Sequence, residues 1–220
     1  MYVETMTLDQ INNEIMKDRR YLETKIGYVL GDSKYRKACL KLKNEGFHPF
    51  KRVDFTSKET GFEYHLLPFV FGKRDYLKNS MGFCVFLTFR KHHQIWAGFM
   101  YDNATKVLFF TPHFFDRYEE REGKGSGSRL DLMADFFMRN RAFNHTEYTH
   151  PKHPDSIFVT IMDGVGLGTR LEGSLKLVTT YISNDMLYKE QIDIRSASLD
   201  ILDECYRKFS KGADYLIKAA

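Results

Sequence analysis

Hydrophobic spacing divides the chain into a helical start, a β-patterned middle and a mixed final third. Leu8, Ile11, Ile15, Leu22 and Ile26 recur at intervals of three, four or seven residues, which is the spacing of one helix face. Thr7 stands at the N-cap position of this helix, and Gly27 and Gly31-Asp32 loosen its far end. Ser33 reads as the cap of a second helix through Ala38, Leu40 and Leu42, stopped by Gly46. From Phe47 the period changes to two. Residues 51–56 and 62–71 flank the turn-like SKETG, with Pro68 arguing for an edge or a bulge. Residues 82–90, 94–101 and 106–110 read as a three-strand meander, with His92 and His93 facing solvent on a hairpin tip.

The stretch TPHFFDRYEER, residues 111–121, restarts the helical period. Thr111 can accept from a free N–H of the first turn, and Pro112 falls at the first helical position, where its missing N–H costs nothing. Phe114, Phe115 and Tyr118 share the inward face. GKGSGS then breaks the chain flexibly. Residues 130–143 return to helix through Met133, Phe136 and Phe137, and 144–155 read as a polar loop. A hairpin of 156–162 and 167–172 around DGVGLG, a strand at 175–182, and helical sequence from Asp185, broken near Asp193 and resuming over 198–218, complete the chain. The pattern predicts an α+β fold: a largely antiparallel sheet of six to eight strands with helices packed on it. An N-terminal helical pair over 1–46 joins an α+β domain over 47–220 in one compact unit.

Composition narrows the class without naming a function. The 220 residues are 43% hydrophobic and 28% charged, as in ordinary globular chains, so disorder does not dominate. Aromatics reach 15%, which favours sheet. A net charge of +4 permits an anionic partner without demanding one, and the lysines of 34–43 have a solvated face as their commoner meaning. Cys39, Cys84 and Cys205 are odd in number and far apart, so neither a disulfide framework nor a thiolate zinc site is indicated. With no signal-peptide layout and no membrane-length apolar run, the expectation is a cytoplasmic protein.

Candidate chemistry centres on the outer side of the 112–121 helix. His113, Arg117 and Arg121 are spaced i, i+4, i+8 and leave it over about 12 Å. Asp116 and Glu120 flank them and could pair with either arginine. GVGLG superficially suggests a phosphate loop, but its third glycine comes one residue early and β-prone sequence follows, so a glycine-rich turn is expected and no cofactor is indicated. His145, His150 and His153, with Glu147, could ligate zinc, but the segment lacks helix-borne i, i+4 geometry, and no metal is assigned.

The order of this helix, glycine-rich β structure and the strand LKLVTTYIS resembles the RelE/barnase-like small ribonuclease group, over residues 107–183. PHFFDRYEER is similar to the H-x3-R-x3-R helix of short members of that group. The resemblance implies metal-independent RNA cleavage, with His113, Arg117, Arg121 and Thr180 in catalytic roles. Arg170 could add a second cation and Tyr181 a donor to phosphate. The first hundred residues have no counterpart in that group. The alternative is a non-catalytic module holding nucleic acid, another anion or a protein partner through the same basic stripe.

Overall fold

The long first helix expected from the spacing bends at Asp18, which ends α1 (Leu8–Lys17) and starts α2 (Arg19–Leu30). The computed structural model describes residues 2–42, 46–73, 76, 81–101, 106–123, 127–147, 155–172 and 175–210. Asp18 is 1% exposed. Its carboxylate accepts from Ser57 Oγ at 2.6 Å, from Tyr64 Oη at 2.8 Å and from Thr60 Oγ1. A buried carboxylate is tolerated when its lone pairs are filled this way. The bend is thereby fixed to the hairpin beneath it. Asp32, rather than Ser33, caps α3 (Ser33–Cys39), its side chain accepting from Lys34 N at 2.8 Å.

Among the described residues the sheet has ten strands, more than the spacing suggested. They are β1 (His48–Pro49), β2 (Val53–Thr56), β3 (Glu63–Val70), β4 (Gly82–Lys91), β5 (Gln94–Tyr101), β6 (Lys106–Phe110), β7 (Asn144–Glu147), β8 (Ser156–Thr160), β9 (Gly164–Arg170) and β10 (Lys176–Ser183). The order is β1-β3-β4-β5-β6-β10-β9-β8-β7, with β2 also pairing β3. Every pairing is antiparallel except β6 with β10. The meander and the later strands therefore share one sheet, as expected. The architecture is α+β.

Three local readings change. Pro68 lies inside the sheet. Its carbonyl accepts from Phe50 N, so the side of the residue that lacks an N–H faces the break between β1 and β2. Residues 144–147, read as loop, form β7. The glycines of GVGLG lie within β9 instead of a turn. A Cβ at Gly164 would stand 2.3 Å from Ile182 O, one at Gly166 2.6 Å from Val178 Cγ1, and one at Gly168 2.0 Å from Leu177 O. The three line one face of β9 and let β10 approach closely.

Helices cover both faces. Ile11, Ile15, Leu22 and Tyr35 from α1–α3 pack against Tyr64, Leu66, Leu87 and Phe109 on one side. On the other lie α4 (Pro112–Glu122) and α5 (Arg129–Arg139), whose Phe114, Phe115, Phe136 and Phe137 surround Phe110, with Tyr118 in the same cluster. Gly123 ends α4 in the left-handed region, at φ 61°. Asn140 closes α5, accepting from Met162 N at 2.8 Å. A 22-residue helix, α6 (Lys189–Ser210), runs unbroken through Asp193 and packs beside β7 and β8. Cys39 and Cys84 are buried free thiols, and burial pushes Cys84 up to about 12. Among the described residues no helix is long and apolar enough to cross a membrane.

Candidate functional site

The helix stripe forms as spaced, and most of its polar groups are spoken for. Thr111 Oγ1 accepts from Phe114 N at 3.2 Å, the expected cap, and also donates to Thr179 O at 2.9 Å. Thr111 N donates to Val178 O at 3.0 Å. Beyond Val178 the strand β10 has no register partner in β6, and α4 runs along that open edge. The Arg121 guanidinium donates to Tyr181 O there, filling a carbonyl that the ladder leaves open. Arg117 pairs with Glu120 at 2.6 Å. Asp116 pairs with Arg129 at 2.5 Å instead of with the stripe. His113 is exposed.

The structure does not bring the side chain of Thr180 or Tyr181 to this stripe. Tyr181 is fully buried between Phe114 and Tyr118, with ring centroids 5.9 and 5.1 Å away. Its hydroxyl lies 2.5 Å from Glu122 Oε1 and 2.8 Å from Asp163 O. Burial, then the Glu122 carboxylate, hold its pKa well above the usual tyrosine value, which keeps it a protonated core donor. Thr180 pairs in register with Leu167, which alternates with Gly166 and Gly168, so it faces away from α4. A shift of register between Val178 and Thr180 sets this alternation, and it cannot be read from local spacing.

Arg170 belongs to a different group. Alternation places Lys106 with Leu108 and Phe110, Lys176 with Val178, Arg170 with Gly168, and His145 with Val159, all toward the α4–α5 face. Lys176 and Arg170 are direct register partners. Strands about 4.8 Å apart thus carry Lys106, Lys176 and Arg170 to one end of the sheet, while register places His145 in the row of Val159, Gly166 and Tyr181. Burial, then Arg170 and Lys106, hold the Lys176 ammonium below the usual lysine value. Desolvation and the charges of Lys176, Arg170 and Lys106 likewise lower His145. Arg170 is ion-paired with Glu147. His150 and His153 of the suggested metal triad lie outside the described residues. His145, the member that is described, is surrounded mainly by cations.

Sequence reading passed over Lys106, Lys176 and the cationic role of His145, because their meeting depends on β6–β10 pairing across about 70 residues. It also passed over a buried histidine, His65, which bonds Asp54 and Thr88 across three strands. No protein-family model, curated protein or solved structure matches this chain.

Proposed function

We propose that this chain is a non-catalytic module that binds an extended anionic partner, single-stranded RNA being the first to test. Arg170, Lys176, Lys106 and His145 are its contact residues. One observation carries the reading: Lys176 and Arg170 are register partners, Lys106 lies on the neighbouring strand β6, and His145 feels the charge of all three, with Glu147 bonded to Arg170. Like charges at this spacing raise the free energy of the unbound protein, and a bound polyanion relieves that cost.

The exposure of His113 beside Arg117 favours a second reading, metal-independent RNA cleavage from the helix stripe, in which the histidine acts as base. That reading has no support from Thr180 or Tyr181, which lie elsewhere. One experiment separates the two. A short labelled single-stranded RNA is titrated with the protein across a salt series, and the RNA is recovered afterwards. The binding module predicts intact RNA and a log–log salt slope of about −2, from three phosphate contacts at about 0.7 each. Cleavage that survives a chelator and vanishes in His113→Ala would favour the nuclease. No binding at low salt would overturn both.

A further inference from the structure

We propose a hydrolytic site in the other half of the sheet: Thr88 as nucleophile, His65 as its general base and Asp54 as the residue that positions the base, acting on small neutral or cationic carboxylic esters. The three come from adjacent strands, β4, β3 and β2. Asp54 and His65 are register partners, and Thr88 is diagonal to His65.

The bonding fixes the direction of proton flow. His65 Nδ1 lies 2.8 Å from Asp54 Oδ1. A carboxylate only accepts, so the ring proton sits on Nδ1 and Nε2 presents its lone pair. Thr88 Oγ1 is 3.0 Å from that Nε2, and its one hydroxyl proton can go to this lone pair or to Glu63 Oε2, 3.4 Å away. This is nucleophile, base and orienter within mutual hydrogen-bond reach, the geometry by which such sites are recognised whatever the chain order. Arg52 Nε lies 2.8 Å from the same Asp54 Oδ1, and Asp131 lies 2.9 Å from Arg52 Nη1. The imidazole lies over Phe86, ring centroids 4.6 Å apart, and is 2% exposed. Burial outweighs Asp54 and keeps the ring below its ordinary pKa, so it is a neutral base at neutral pH.

Thr88 also lines an open cleft of about 270 Å³, whose walls include Tyr2, Glu4, Glu63 and Arg90. The cleft supplies what a merely structural histidine network lacks, a space bordered by Thr88. Glu4 and Glu63 against Arg90 give it an acidic balance, and Glu63 Oε2 is 3.4 Å from Thr88 Oγ1, so anionic esters are disfavoured.

The reaction balances without a cofactor. Thr88 Oγ1 bonds to the ester carbonyl carbon as its proton passes to His65 Nε2. The acyl–oxygen bond then breaks, and the departing alkoxide takes that proton as an alcohol. Water attacks the Thr88 acyl ester and gives a proton to His65. Thr88 leaves, recovers the proton, and a carboxylic acid is released.

The test uses the full chain, a fluorophosphonate probe and p-nitrophenyl acetate. Expected are phosphonylation of the peptide carrying Thr88 and release of p-nitrophenol. Both are retained in Thr88→Ser and lost in the near-isosteric Thr88→Val. His65→Gln should slow acylation by about 10²–10⁴-fold. Asp54→Asn should move the pH inflection of acylation, which loss of a purely structural contact would not do. Melting curves identify any variant that fails to fold, and the site of modification in the wild-type chain is decisive without the variants. Absence of label on Thr88, or undiminished ester hydrolysis in folded Thr88→Val, overturns the proposal.

Discussion

The outer side of α4 and the Lys106–Lys176 end of the sheet are both basic, and they do opposite things with their charge. On α4 the Arg121 guanidinium fills a strand carbonyl and Arg117 meets Glu120, so the cations attach a helix to an open sheet edge and to its own carboxylates. At the sheet end Lys176 sits between Lys106 and Arg170, and burial first, then these two charges, hold its ammonium below the usual lysine value. A stripe at helical spacing marks a face. Like charges that strand register brings together mark a surface whose energy improves when an anion arrives.

Breaking the inner face of α4 should produce the largest effect. Phe115→Ala removes a fully buried ring and should cost about 3–5 kcal/mol in urea unfolding, whereas exposed His113→Ala should stay within about 0.5 kcal/mol. Equal losses would mean that the stripe is part of the core. Next is Gly168→Ala. Its Cβ would stand 2.0 Å from Leu177 O, so β9 must shift and Arg170 with it. Roughly 1–3 kcal/mol of destabilisation is expected, with weaker RNA binding in the folded fraction.

Acidification sharpens the comparison from the ligand's side. His145 has a depressed folded pKa, so its contribution to stability is present above the unfolded value of 6.5 and is lost as pH falls through the folded value. A bound polyanion favours the protonated ring, so RNA affinity should rise about threefold as pH drops through that window. His145→Ala should flatten the rise, and a flat wild-type profile would remove His145 from the surface. The smallest effect concerns Lys176. Its folded pKa lies below 10.5, so the associated stability is present only above that value and is missing at neutral pH. Lys176→Met should therefore raise the melting temperature by about 1–2 °C while weakening RNA binding. A lower melting temperature would show that the ammonium is well compensated.

Period and cap chemistry were enough to place most elements. The Thr111 cap, the inward Phe114, Phe115 and Tyr118, and a strand ending near Ile182 all follow from residues within a few positions of one another. What could not be read depends on partners distant in the chain. Asn144–Glu147 has no apolar alternation, and it becomes a strand because β8 offers an edge. The glycines of β9 look like a turn until Tyr181 and Val178 are placed against them. Arg121 looks like a free cation until the missing ladder beyond Val178 leaves it a carbonyl to fill. The same holds for the basic cluster and for Asp54, His65 and Thr88, which converge only through strand register.

The most direct test of the binding surface is a paired titration. A short labelled single-stranded RNA is bound by wild type, by Arg170→Glu/Lys176→Glu and by His113→Ala/Arg117→Ala at one low salt concentration, after melting curves show all three folded. The account predicts that the sheet-end pair loses about 30-fold or more in affinity, while the helix pair stays within about threefold. The reverse ranking would contradict it, placing the anion on α4 and returning the site to the helix stripe.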